Sequence, residues 1–247
     1  IIRNSEEIFG ATKYADKKVH ACITLLLKII FYNLADTIIA ISTKSKKSLE
    51  KILINKDKVK LIYNPYLLNN NKFKEKNKNK NFFNILCVGR LTKQKNFLLV
   101  IKAINELTKK YPKIILTVVG DGPLKRDLIK IANKNIKFLN WTNNIKKYFL
   151  KSDLFILPSY YEGLPNALIE AAYYSIPSIS TDCSGAKDIL SNNKGGYIIP
   201  INNLIELKKK ISLIIVNYKD AKKKTLFAKK NVSNFSILNC EKYYQLF

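Results

Sequence analysis

Two carboxylates, Glu162 and Glu170, flank Pro165 in the stretch LPSYYEGLPNALIEAA, which has apolar runs on both sides. Proline suits the first helical position, so the pattern predicts a loop through Glu162 and Gly163 and a helix opening at Pro165. Glu170 then stands about a turn and a half inside that helix. The amides around Gly163, Leu164 and Asn166 become unpaired donors at a positive helix end, able to grip neutral hydroxyls or anionic oxygens. Glu170, between Ile169 and Ala171, would sit among apolar atoms, where an ionised carboxylate costs several kcal/mol unless it is hydrogen-bonded. A vicinal diol offers two donors to one such carboxylate. Two glutamates at this spacing are also what solvated surface charge would give; the strand, proline and helix around them favour a functional reading.

A second constellation lies in VGRLTKQKN, where Arg90 and Lys95 flank a predicted strand-to-helix junction just after Gly89. Both cations could face one anion. At about 4 Å and an effective dielectric near 20, each contact is worth on the order of 4 kcal/mol before desolvation. Two such contacts match a diphosphate. Because the chain has 44 Lys and Arg residues, two cations near one turn also follow from composition alone.

The elements that would position these groups can be read from hydrophobic patterning. FFNILCVGR (82–90) and IILTVVGDGP (114–123) are apolar runs closed by glycine, as expected of strands buried on both faces. Phe97, Val100, Ile101, Ile104 and Leu107 recur at helical spacing between them. LKRDLIKIA follows as a helix, IKFLNW, DLFILPS and PSISTD as short strands, and PNALIEAAYY as the helix between the last two. Leu204, Leu207, Ile211, Ile214 and Tyr218 mark a late helix with a basic opposite face. Upstream, a helix over 17–34 leads to strand DTIIAIS, a further helix KSKKSLEKIL and strand VKLIYNP. This alternation predicts doubly wound, largely parallel sheets, with ligands bound beyond the carboxyl ends of the strands. LLNNNKFKEKNKNK, over 67–80, reads as a linker.

At 47% hydrophobic residues the chain of 247 can bury a sizeable core, and its formal charge of +26 suits nucleic acid, anionic lipid or phosphorylated small molecules. The joint abundance of Lys, Asn and Ile gives compositional bias as the simpler cause of the charge. The chain begins at Ile1 and has no methionine, so it reads as an N-terminally truncated piece of a longer protein. Cys22, Cys87, Cys183 and Cys240 show no CxxC spacing and are expected to be buried, reduced thiols in a cytoplasmic protein. No signal peptide is evident. The apolar stretch over 21–35 is interrupted by Lys28 and is shorter than the roughly 20 residues of a spanning helix, so it is expected to be a core or interfacial helix.

The ordered set VGRLTKQKN, VVGDGPLKRDL, IKFLNW, SDLFILPSYYEGLPNALIEAAYYSIP and STDCSGAKDIL strongly resembles the C-terminal donor-binding domain of retaining glycosyltransferase family 4, which has the GT-B fold. The likeness runs from about residue 82 to 200. Upstream, LADTIIAISTKSKKSLEKI and KVKLIYNP resemble the last pieces of an N-terminal acceptor-binding domain, and NFSILNCEKYYQLF resembles a terminal helix that crosses back to it. The implied organisation is 1–66 acceptor-domain remnant, 67–80 linker, 81–232 donor domain and 233–247 returning helix.

The resemblance implies that Arg90 and Lys95 hold and neutralise the departing nucleotide diphosphate, with Gly89 beside them. Glu162 would face the transferred sugar, Gly163, Leu164, Pro165 and Asn166 would grip its hydroxyls and phosphate, Glu170 would bind the ribose diol, and the base would lie near Asn140 and Trp141. It further implies retaining transfer of a hexose or N-acetylhexosamine to a glycan or lipid-linked acceptor in surface polysaccharide or lipopolysaccharide biosynthesis. A UDP-sugar is the favoured co-substrate, with no cofactor. With no DxD and with His20 as the single histidine, no metal site is expected. The protein would be cytoplasmic, with peripheral contact at the anionic inner face of the plasma membrane. Lacking most of the acceptor domain, this piece would bind donor but turn over poorly.

The sequence departs from the family pattern at three points: Asn140 stands for a usual glycine, Ser175 replaces the glycine before IP, and TDCSGAKDIL is one residue shorter than the N-acetylhexosamine form. Arg3 or Glu6, in IIRNSEEIFG, would approach the acceptor. A GT-B-fold sugar-nucleotide epimerase is the alternative enzyme. A basic nucleic-acid-binding protein is the alternative outside enzymes, with no helix-turn-helix, zinc site or RNA-recognition motif to support it, and no nucleic-acid partner is expected.

Overall fold

A computed structural model describes residues 1–5, 7–15, 18–66, 81–237 and 239–245. The expected linker over 67–80, and Glu6, lie outside the described residues. The larger sheet comprises β4 (Phe83–Val88), β5 (Ile114–Val119), β6 (Ile136–Leu139), β7 (Leu154–Leu157), β8 (Ser178–Thr181) and β9 (Tyr197–Ile199). Among the described residues they run parallel in the order β6-β5-β4-β7-β8-β9.

The alternation of side chains along each strand builds two separate cores. Ile85 and Cys87 of β4, with Leu154 and Ile156 of β7, join α4 (Phe97–Leu107) and α9 (Leu204–Val216) on one face. Leu86 and Val88, with Phe155 and Leu157, join α7 (Asn166–Tyr173) on the other. Apolar residues on both faces are what turned these strands into continuous hydrophobic runs. The chain reverses its direction of growth between β4 and β7, so their carboxyl ends open the crevice where doubly wound sheets place ligands.

The smaller sheet pairs β1 (Ile2–Asn4), β2 (Ile38–Ala40) and β3 (Val59–Leu61) in parallel order β1-β2-β3. It is packed by α1 (Ile8–Lys13), α2 (Lys18–Leu34) and α3 (Thr43–Leu49) around Ile8, Ile38, Leu49 and Val59. β1 and β9 had no counterpart in the sequence reading. Three-residue strands carry too few positions to show a period.

Two sequence expectations need correction. Of the two roles expected for α2, core or interfacial helix, the first does not hold: none of its residues is buried, Leu25 and Tyr32 pack only partly against the smaller core, and Val19, Ile23, Leu26, Leu27, Ile30, Phe31 and Leu34 form an exposed apolar stripe. No helix among the described residues is long and apolar enough to cross a membrane. Of the four free thiols, Cys87 and Cys183 are buried as expected, but Cys22 is exposed on α2 and Cys240 is half-buried.

The two sheets meet through polar contacts, through Ile41, which packs in the core of the larger sheet, and through the close approach of Gly163 to Ser5. Ser42 Oγ lies 2.7 Å from Ser184 Oγ, the Thr43 amide donates to Asp188 Oδ2 at 2.8 Å, and Lys44 Nζ donates to the Asp182 carbonyl at 2.8 Å. Tyr63 and Tyr66, which precede the expected linker, pack against the core of the larger sheet.

Candidate functional site

β4 delivers Gly89 and Arg90 to the crevice, and the turn that follows is held open by backbone geometry. Gly89 adopts φ 153°, and its carbonyl oxygen is so close to Gly120 that a Cβ there would approach within 2.0 Å. The turn Lys93–Lys95 ends in Asn96, whose left-handed φ of 48° launches α4. Asn tolerates that region better than most residues.

This first loop is tied to the loop after β7. The Tyr160 amide donates to the Gln94 carbonyl at 2.8 Å, and Gln94 Nε2 returns a bond to the Tyr161 carbonyl at 3.0 Å. Those contacts deliver Lys95 to Glu162, with Nζ 2.6 Å from Oε1. Ser159 Oγ donates to the same oxygen at 2.6 Å, and Thr181 Oγ1 in turn holds the Ser159 carbonyl. Glu162 is buried, so its charge is balanced by an ammonium and a hydroxyl rather than by water.

α7 begins at Asn166, one position later than the proline reading placed it, and Pro165 is the cap residue, with φ −77° and ψ 103°. Its carbonyl accepts from the Leu168 amide at 3.0 Å. Among the described residues, the amides of Gly163, Leu164, Asn166 and Ala167 donate to no protein acceptor. Such amides at a helix start suit an anion or a sugar hydroxyl.

Glu170 projects from α7 and accepts a hydrogen bond from the Tyr66 phenol. Burial pushes its carboxyl above the ordinary range, and the Tyr66 bond opposes part of that rise. Burial and the neighbouring Glu170 likewise push the Tyr66 phenol up, so its proton stays on the donor oxygen.

Two adjoining cavities collect these groups. One of about 960 Å³ is bounded by Gly89, Arg90, Lys95, Asp121, Trp141 and Tyr161. The other, of about 610 Å³, is bounded by Tyr66, Glu162, Leu164, Pro165, Ile145 and Glu170. Gly89, Lys95, Trp141 and Asn166 line both, so Arg90 at one end and Glu170 at the other open onto one crevice. Arg90 is exposed, with no ion-pair partner among the described residues.

Asn140 stands apart from this group. Its side chain accepts from Lys125, which also lies 3.6 Å from Asp121, and it lines neither cavity; its neighbour Trp141 lines both. Arg3 is turned to Asn64, donating to Oδ1 at 2.6 Å. Sequence reasoning missed Tyr66, 104 positions from Glu170, and Tyr14, whose ring stacks on Tyr160 at 4.7 Å beside the larger cavity. No sequence signal linked either to the site. Ser159, three residues before Glu162, could have been found as a local hydroxyl partner. No group of three or more His, Cys, Asp or Glu side chains able to hold a metal occurs among the described residues.

The fold is an α/β protein with a switch-point crevice that has cations at one end, a half-buried carboxylate at the other and open helix-start amides between them, groups whose chemistry suits an anionic, hydroxyl-rich ligand. The chain belongs to the glycosyl transferases group 1 family, whose model matches residues 69–231. It is 35% identical over 187 residues to an uncharacterized glycosyltransferase of Methanocaldococcus jannaschii, covering 70% of this chain and 46% of the relative. It is 29% identical over 217 residues to a Campylobacter jejuni enzyme named as a GalNAc-diNAcBac-PP-undecaprenol α-1,4-N-acetyl-D-galactosaminyltransferase, covering 85% of this chain and 59% of that enzyme. The chain therefore spans about half the length of the curated relatives it matches. Among solved structures, HepE of Anabaena in complex with UDP and glucose superimposes with a TM-score of 0.79 at 19% identity, covering 99% of this chain and 70% of that one. The expected GT-B architecture is borne out at the level of fold.

Proposed function

We propose that the crevice binds a nucleotide-diphosphate sugar, a UDP-sugar first, and that the protein transfers its hexose or N-acetylhexosamine with retention to a lipid-linked or glycan acceptor. The observation that carries this reading is the continuity of the crevice: Arg90 and Lys95 at one end, Glu170 at the other, and the open amides of Gly163, Leu164 and Asn166 between. The order of these groups along the crevice suits a diphosphate with its sugar and its ribose on either side. The relative of Campylobacter jejuni, named for an undecaprenol-diphosphate substrate, supports the lipid-linked acceptor. The UDP complex of HepE supports the nucleotide.

In this reading the departing diphosphate gathers charge as the glycosidic bond breaks, and the chain's task is to stabilise that charge. Arg90 and Lys95 face it, and the amide end of α7 adds fixed dipoles. At the leaving-group end the cations Arg90, Lys93 and Lys95 outnumber the carboxylate of Asp121, which supports transfer without a divalent metal. Glu162, beside the sugar, holds Lys95 in place and offers Oε2 to a sugar hydroxyl. The excess of Lys and Arg suits a peripheral position on an anionic membrane.

Calorimetry of the chain against UDP, UDP-N-acetylglucosamine, UDP-galactose and GDP-mannose, with and without EDTA, tests the reading. Saturable UDP-sugar binding insensitive to EDTA is expected. No binding of any nucleotide sugar, or binding that requires magnesium, overturns it. The epimerase alternative predicts interconversion of two UDP-sugars without acceptor, read by NMR of the anomeric protons.

A further inference from the structure

The Tyr66 side chain reaches the Glu170 end of the crevice from outside the family-matched stretch that supplies most of its lining. Its backbone is fixed from behind: the Tyr66 amide donates to the Phe235 carbonyl at 2.8 Å, and the fully buried Phe235 ring meets Tyr63 edge-on at 4.9 Å. The phenol thus approaches Glu170 from an anchored support, lines the same cavity and donates to Oε1.

We propose that Tyr66 is a positioning residue of the donor site, holding the Glu170 carboxylate in the orientation that accepts a ribose diol and so setting the preference for ribonucleotides. This inference deepens the function proposed above and rests on it. An ionised carboxylate has about four acceptor positions on its two oxygens. One on Oε1 goes to Tyr66; Oε2 and the second position on Oε1 remain for two hydroxyls. A glutamate has several rotatable torsions, and ordering it on ligand binding costs entropy. The phenol orders it beforehand, and preorganisation of this kind is returned as affinity. The hydrogen bond also keeps a half-buried carboxylate satisfied in the empty site.

The test is calorimetric titration of the chain and its Tyr66→Phe, Glu170→Gln and doubly substituted variants with UDP and with 2′-deoxy-UDP. Loss of a hydrogen bond to a charged group predicts that Y66F weakens UDP binding about tenfold and 2′-deoxy-UDP, which keeps only the 3′ hydroxyl for Glu170, by distinctly less, so that most of the preference between them collapses. E170Q should collapse it too, and the double variant should be no weaker than E170Q alone. Phe keeps the ring on its support, and an unchanged melting temperature in Y66F confirms that packing survives. A preference collapsed by E170Q but intact in Y66F overturns the role of Tyr66 alone. Tighter UDP binding by Y66F does the same, because the phenol would then compete with the diol. A preference unaffected by E170Q overturns the diol contact itself, and this inference with it.

Discussion

Lys95 Nζ sits 2.6 Å from Glu162 Oε1, and this pair joins the loop after β4 to the loop after β7 across the mouth of the crevice. The Glu162 side chain is 9% exposed and that of Lys95 22%, so neither charge is well screened by water. The ammonium therefore has two neighbours of opposite sign: the carboxylate it holds now and the diphosphate proposed to enter beside Arg90.

Lys95→Ala leaves a buried carboxylate with Ser159 as its remaining partner, and removing one member of such a pair costs about 3 kcal/mol. For a chain of this size that is a fall of roughly 6–12 °C in melting temperature. Combining it with Glu162→Gln should restore most of the loss, because a neutral amide needs no counter-charge, but should not restore UDP affinity. Scanning calorimetry and titration on the same samples separate the two effects. A single variant as stable as the parent would show that the pair contributes nothing net to folding.

Glu170 carries an opposite balance of stability and function. Its carboxyl is raised by burial, so the folded chain holds that proton to higher pH than the unfolded chain does. The group's contribution to stability is therefore full at acid pH and is lost as pH rises through the raised value. Glu170→Gln should melt higher than the parent at pH 7, with the gap closing as pH falls into the carboxylate range. UDP affinity of the parent should weaken over that same acid range, since a protonated Glu170 accepts one fewer hydroxyl. Melting curves and titrations at matched pH values check both slopes, and a gap that widens toward acid pH contradicts the assignment.

The apolar runs of β4, β5 and β7 were legible in the sequence because both faces are buried, and Arg90, Lys95, Glu162 and Glu170 were legible because each follows such a run or the helix after it. Partners from distant segments were hidden. Tyr66 looks like the end of strand VKLIYNP until Phe235 and Glu170 come to it, and Tyr14 follows a six-residue helix too short to announce itself. Asn140 looked equivalent to Trp141 because strand-end neighbours differ by one position but point to opposite sides. The stripe on α2 was ambiguous for a further reason: apolar periodicity reports that a helix has a greasy face, not that anything covers it.

Gly163 is needed for the approach of the two sheets. A Cβ there would lie 1.9 Å from the Ser5 carbonyl oxygen and 2.8 Å from Ile41, so one of the two backbones must shift. Gly163→Ala should lower the melting temperature by several degrees, as overpacking of about 1–3 kcal/mol does. It should also weaken UDP binding, because the displaced loop carries the open amides. Hydrogen exchange should show faster exchange in β1 and the loop after β7, and protection equal to the parent would mean that the loop absorbs the methyl group without separating from Ser5.

Trp141 offers an internal reporter, since it is the single tryptophan of the chain, is 63% exposed and lines both halves of the crevice. A uracil ring seated there would cover the indole, and base-on-aromatic contact is worth about 1–3 kcal/mol. UDP should therefore change the emission of the protein in a saturable way, while ribose 5-phosphate, which has no base, should leave it nearly unchanged. Trp141→Ala should lower UDP affinity by about tenfold or more on the same scale. Its effect on melting temperature should be small, because an exposed ring contributes little to the core. Emission that stays flat through a titration in which calorimetry detects UDP binding would place the base elsewhere than beside Trp141. Emission that responds equally to ribose 5-phosphate would assign the signal to movement of the loop after β6 instead of stacking.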